Sequence, residues 1–241
     1  MKILIYLIGC ILFFTSCGSK IPNRTLVKNN VFVQTVTTLP LTYKKKEIIF
    51  IGMHHIGNQI FYNNVNKLTD SLQKQGYIIY YEGILAKDMR NKVVNNINAR
   101  KLKKITNSTM SPFGIIDTTR SQLIKIASIT TNGLVNQPHP LLLIKDTANS
   151  KIVDITLDDL IKTYEIRFGT IAIDFRDNAL PLENPYPQKF YYPKKNILYV
   201  LNTYRNQYLA KQIAASSNNK LAIVYGALHY NNLQQALLQI K

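Results

Sequence analysis

The chain contains no tryptophan, only two cysteines and four histidines, and 13 acidic residues against 30 basic ones in 241 positions. Both cysteines, Cys10 and Cys17, stand close to the start, so no disulfide scaffold or thiolate cluster can be spread along the chain. The ten glycines form neither a Walker A loop nor a G-x-G-x-x-G turn, and no G-x-S-x-G elbow is present. Phosphate cradles of those kinds are therefore excluded, and Ser-His-Asp and Cys-His catalysis find no support. Scarce acid leaves a formal net charge of +17, which favours anionic partners such as membranes, cell-wall polymers or nucleic acid. The lysines are scattered, as in "YKKKE", "ARKLKK" and "YPKKN", without a nucleic-acid module around them, so no nucleic-acid partner is expected. What is plentiful is core material: 46% of residues are hydrophobic and 10% aromatic, enough for one globular domain.

The only long apolar run lies at the N-terminus. "MKILIYLIGCILFFTSCGSK" has one early lysine, an apolar stretch of signal-peptide length, and small residues followed directly by Cys17. The run is short for a spanning helix. It resembles the lipobox of bacterial lipoproteins, which implies cleavage of residues 1–16 and acylation of Cys17. Residues 17–30 then read as a lipidated tether and residues 31–241 as a single α/β domain. The expected place is the bacterial cell envelope, with the membrane reached through the N-terminal lipid.

Strand and helix patterns follow. "VFVQTV" is an expected first strand, and "EIIFIG" reads as a buried strand from its unbroken β-branched and aromatic run. Phe61, Val65, Leu68 and Leu72 fall on one face of a helix from about Asn58 to Gln75, which Gly76 ends before the strand "YIIYYEG". That strand–helix–strand unit predicts a central mixed sheet flanked by helices. In the middle of the chain, "AKDMRNKVVNNINARKLKKI" reads as a helix or an exposed excursion, and "SQLIKIASITTNG" as helical. "TLDDLIKTYEIRFG" is a helix with a Thr cap, an acidic first turn and a Gly stop. "DNALPLENPYPQKFYYPKK" is a loop, serving as a lid or as solvent-facing padding. Near the end, "NILYVLNTYRNQYLAKQIAAS" puts Ile197, Leu201, Tyr204 and Tyr208 on one helical stripe; "LAIVYG" is a buried strand and "NNLQQALLQI" a closing helix.

Two of the four histidines stand in matching frames. "GMHH" puts His55 three residues after Gly52, and "GALH" puts His229 three residues after Gly226, each just past a buried strand. In open α/β sheets ligands gather beyond the C-terminal strand ends, and glycine tolerates the backbone angles a sharp turn there can require. Two imidazoles with Glu82, at the end of "YYEG", make a minimal catalytic metal site, though structural roles in strand-end turns remain open for either histidine. His54 is a candidate supporting group, His139 in "QPHP" a further candidate ligand, and Asp174 with Asp177 a possible extra carboxylate pair. Arg205 either binds Glu82 or a substrate carboxylate, or is a helix-surface charge.

The paired GxxH motifs, the strand-end Glu82 and the "YRN" of the preceding helix resemble the TraB/GumN/TIKI family, over residues 47–83 and 197–241. Between them the resemblance is confined to "GLVNQ" and "VDITLDDLIK". It implies a TraB/TIKI, EreA/ChaN-like α/β domain and metal-dependent peptidase chemistry with manganese or cobalt. By residue, it implies His55 and His229 as metal or catalytic groups, Glu82 as ligand or general base, and Arg205 as a polar anchor. The expected activity is therefore a membrane-anchored, metal-dependent hydrolase acting on a peptide or protein. The alternative is a non-catalytic envelope lipoprotein of the same fold that binds haem or another ligand.

Overall fold

A computed structural model describes residues 32–84, 94–111, 114–116, 134–138, 146 and 148–240. Cys17 with its signal and tether, His139 and the helix expected over 121–133 lie outside these residues. Five strands form the central sheet: β1 (Thr38–Tyr43), β2 (Lys46–Met53), β4 (Ile78–Tyr81), β8 (Ser150–Ile152) and β9 (Lys220–Gly226), in the order β1-β2-β9-β4-β8. β1 is antiparallel to β2, and the other pairings are parallel. The expected mixed α/β sheet is present, but its first strand is "TLPLTY" rather than "VFVQTV". The described residues of that earlier stretch, 32–36, are not strand, and Val33 and Val36 pack on the core beside the sheet. Pro40 is tolerated because β1 is an edge strand, where a missing N–H breaks no second ladder.

Alternation along the inner strands splits the core in two. Phe50, Tyr80, Leu221, Ile223 and Tyr225 face one layer, and Ile51, Ile79, Tyr81, Ala222 and Val224 face the other. Helix α1 (Gln59–Lys74) covers the second face with Phe61, Tyr62, Val65 and Leu72. Asn58 caps it by accepting the Ile60 N–H at 2.8 Å, and Gly76 follows it at φ +86°. The first face is covered by α6 (Arg205–Ala215) and α7 (Tyr230–Leu238), through Leu209, Ala210, Ile213, Leu233 and Leu237. Two short ladders complete the strands, β3 (Ile56–Asn58) with β7 (Leu134–Asn136), and β5 (Thr109–Ser111) with β6 (Gly114–Ile116).

A third cluster joins α2 (Val94–Thr106), α3 (Leu157–Phe168) and the run into α6. Thr156 caps α3 by accepting the Asp159 N–H at 3.1 Å, and Gly169 stops it at φ +100°. The final long helical run is not uniform. It begins as α5 (Lys194–Leu198), widens to a π-helical turn over Tyr199–Tyr204, and resumes as α6. The wide turn holds later residues back around the axis relative to an α-helix, and the 3.6-residue stripe read from sequence stays only partly buried, while Arg205 and Asn206 turn fully inward.

The proline- and tyrosine-rich segment is fastened, not loose. Asn107 exchanges two 2.8 Å hydrogen bonds with the backbone of Phe190, and Lys103 donates to the Pro181 carbonyl at 2.7 Å. Asp174 and Asp177, the possible extra carboxylate pair, are each engaged in local structure. They form a capping box on the short helix α4 (Phe175–Ala179), and Asp177 is buried against Lys104 at 2.7 Å.

Candidate functional site

The four parallel strands end side by side. Tyr81 of β4 is in register with Val224 of β9 and Ile152 of β8, and Met53 of β2 with Gly226. The residues just beyond these ends therefore share one edge of the sheet: His54 and His55 after β2, Glu82 after β4, Asp154 after β8, and His229 after β9. The Glu82 N–H donates to the Val224 carbonyl at 3.0 Å, extending the ladder by one residue and fixing where its side chain starts.

Both Glu82 oxygens are engaged. Oε1 accepts from Arg205 Nη2 at 2.7 Å, and Oε2 accepts from the Gly226 N–H at 2.6 Å. The Gly226 contact explains the glycine of the second motif. Its φ is −50°, an ordinary value, but a Cβ there would lie 3.2 Å from Glu82 Oε2. Gly52 is comparable: a Cβ would lie 3.2 Å from Ala227 Cβ, so the first motif packs directly on the second. Close approach, not an unusual backbone angle, is what these two positions require.

Arg205 is held by a residue that sequence reasoning did not select. Asp154, whose side chain has no exposed surface, accepts Arg205 Nε at 3.0 Å on Oδ1 and Arg205 Nη2 on Oδ2. The N–H groups of Ile155 and Gly83 donate to the same two oxygens at 2.8 and 3.1 Å. The carboxylate is thus saturated by a guanidinium fork and two backbone donors, an anchor rather than a reactive group. Arg205 Nη1 donates to the Leu201 carbonyl at 3.2 Å, one turn back across the π-helical segment. Arg205 is accordingly no surface charge. It spans Asp154 and Glu82.

His229 is buried, reached through a 3-10 turn over Ala227–His229. Its Nδ1 lies 3.1 Å from Asn206 Oδ1, and its Nε2 lies 3.6 Å from Glu82 Oε1. The Tyr225 ring meets it edge-on at 5.5 Å, and the Tyr225 hydroxyl donates to the Val153 carbonyl. Asn206 is the second residue not selected from sequence, although it completes the "YRN" triplet.

The charges follow from this packing. Burial by itself raises the Glu82 carboxyl, but Arg205, His229 and the Gly226 N–H outweigh it and hold the group at about 2. Burial, with Arg205 adding to it, depresses His229 below the usual imidazole range and favours the neutral ring. For Arg205, burial is outweighed by Asp154 and Glu82, and its pKa is raised further.

The groups that meet are Glu82, Asp154, Arg205, Asn206 and His229. His55 is exposed in the turn after β2, at the rim of the same edge, and its carbonyl accepts the Gln137 N–H at 2.9 Å. His54 is half-buried against Phe61 at 5.1 Å between ring centroids, and burial lowers its pKa. Among the described residues no group of three or more His, Cys, Asp or Glu side chains is placed to hold a metal ion together. No helix among them is long and apolar enough to cross a membrane. No family model, no curated protein and no solved structure matches the chain.

Proposed function

We propose that the chain is a membrane-anchored hydrolase acting on peptide or amide bonds, with its site at the Glu82–Arg205–His229 edge. One observation carries the reading. A strand-end carboxylate is clamped by a buried arginine and a backbone N–H, with an imidazole nitrogen 3.6 Å from the same oxygen that the arginine holds. The resemblance to the TraB/GumN/TIKI family and the lipobox-like Cys17 are in line with it.

With its pKa held at about 2, Glu82 is a weak base at neutral pH. Its part is to stay anionic, orient what binds beside it and stabilise positive charge on the neighbouring ring. His229, favoured as the neutral ring, is the better proton acceptor, taking a proton from an attacking water at Nε2 and returning it to the leaving amine. Arg205, already committed to two carboxylates, is a positioning residue for Glu82. Among the described residues no three donors converge on one point, and the pair a divalent cation would meet first is His229 Nε2 and Glu82 Oε1, 3.6 Å apart. Manganese or cobalt would be held by His229 and Glu82 with His55 at the rim, and would supply a bound water of lowered pKa and a Lewis acid for the carbonyl.

The test is hydrolysis of a peptide and amide panel by the full-length chain in detergent, before and after chelation, with metal analysis of the same samples. Glu82→Gln and His229→Ala should each lower turnover roughly 10²–10⁴-fold. Activity that survives chelation assigns the proton to His229 Nε2, and activity restored only by added metal assigns His229 as a ligand. Wild-type turnover in both variants would remove the site. A haem absorption band on adding hemin, with no hydrolysis, would favour ligand carriage instead.

A further inference from the structure

We infer that Asn206 is a positioning residue that fixes the proton of neutral His229 on Nδ1 and so presents a bare Nε2 to Glu82. The inference rests on the hydrolase reading for its purpose, but on hydrogen-bond geometry alone for its content.

The orientation of the Asn206 carboxamide is settled by its neighbours. Its Nδ2 lies 3.0 Å from the Asn202 backbone carbonyl, one turn earlier. A backbone carbonyl only accepts, so the atom facing it must be the NH2 group. Asn202 Oδ1, 2.9 Å away, takes the second proton of the same nitrogen and also receives Asn232 Nδ2 at 2.5 Å. The other end of the Asn206 amide is therefore its oxygen, and that oxygen stands 3.1 Å from His229 Nδ1. An oxygen acceptor opposite a ring nitrogen requires N–H on that nitrogen. Nδ1 carries the proton, and a neutral imidazole has only one.

The consequence is on the other side of the ring. Nε2 is left as a lone pair 3.6 Å from Glu82 Oε1, itself an acceptor already occupied by Arg205. Two acceptors facing each other hold nothing between themselves. They call for a partner that brings protons or positive charge, such as a water with both hydrogens turned inward. The opposite tautomer would place N–H on Nε2, satisfy Glu82 from the ring and close that position. The wide helical turn ending at Tyr204 contributes by bringing both Arg205 and Asn206 inward from consecutive positions.

The experiment is two-bond proton–nitrogen NMR of the full-length chain labelled with 15N-histidine, in detergent at mildly alkaline pH after chelation. His229→Gln assigns the signals of His229 among the four histidines. Wild type should show a pyrrole-type Nδ1 and a pyridine-type Nε2. Asn206→Asp keeps an acceptor toward Nδ1 and should keep that pattern, whereas Asn206→Leu removes it and should shift the proton to Nε2. A merely structural role for Asn206 would give one unchanged pattern in all three proteins and would overturn the inference. So would a wild-type spectrum with the proton on Nε2 or exchanging between both nitrogens, whether or not the leucine variant folds. None of these spectra depends on turnover. A pattern as expected without hydrolysis would sink the hydrolase reading alone, and hydrolysis with the wrong pattern would sink only the tautomer.

Discussion

Among the described residues two groups of charged side chains are buried, and they are built on opposite plans. At the sheet edge, Arg205 is answered by two carboxylates, Glu82 and Asp154, so negative charge is in excess. On α2, Arg100, Lys103 and Lys104 are answered by the single carboxylate of Asp177 and mostly by main-chain carbonyls. Arg100 reaches the carbonyls of Asp177 and Leu180, Lys103 that of Pro181, and Lys104 that of Ala172. Lys103 and Lys104 also lie over the Tyr186 and Phe190 rings, each 4.6 Å from the ring centre. Cations that end on backbone oxygens and ring faces tie down a segment whose regular structure is one short helix followed by a loop. Side chains that end on each other at aligned strand ends lock the relative positions of those ends.

The comparison breaks most sharply at Arg205. Arg205→Leu strands two buried carboxylates and should cost about 3–5 kcal/mol in chemical denaturation. A loss under 1 kcal/mol would mean that the carboxylates are relieved by water and are not truly sequestered. Acid should tell the clusters apart next. The Glu82 pKa lies at about 2 in the fold against an ordinary 4.5, so its contribution is complete above about 4.5 and disappears as pH falls toward 2. That difference corresponds to about 3 kcal/mol. Acid titration of wild type against Glu82→Gln should show the wild type losing more stability across that window. Equal acid sensitivity would contradict the clamped carboxylate. The smallest effect belongs to the loop fastener. Lys103→Met exchanges a cation held by one carbonyl and a ring for an apolar chain of similar length, and should change stability by less than about 1 kcal/mol. Lys104→Met, which deprives buried Asp177 of its ion pair, should cost more, about 1–3 kcal/mol. If the two variants melt alike, Asp177 is content with its Tyr186 and Asp174 partners.

Much of the frame was legible from residue pattern. "EIIFIG", "YIIYYEG" and "LAIVYG" are strands because unbroken apolar runs suit strands covered on both faces. The helix over Gln59–Lys74 ends within a residue of its predicted limits, since Asn58 and Gly76 mark both ends. Its neighbours were harder. β1 contains Pro40 and has only one strand beside it, so it lacks the sheet-interior signature, and the more apolar "VFVQTV" drew the assignment. β8 is three residues, "SKI", too short and polar to announce itself, so Asp154 just beyond it was not placed at a strand end although it lies in the resembling segment "VDITLDDLIK". Glu82, Arg205 and His229 were selected and do meet. Asn206 was hidden by periodicity: an undistorted 3.6-residue helix does not foretell the π turn that carries it inward. His55 shares its frame with His229 but not its burial, because β3 follows immediately and leaves its side chain at the rim.

β9 has a consequence for timing. It lies between β2 and β4, parallel to both, yet it comes from residues 220–226, long after either neighbour. Until residues 205–226 have been synthesised, β2 and β4 have no strand to join them, and Glu82 has neither its arginine nor its glycine. Non-local parallel pairing is slow to form because a long intervening loop must close first. The Glu82–Arg205–His229 arrangement therefore cannot form until β9 slots between β2 and β4.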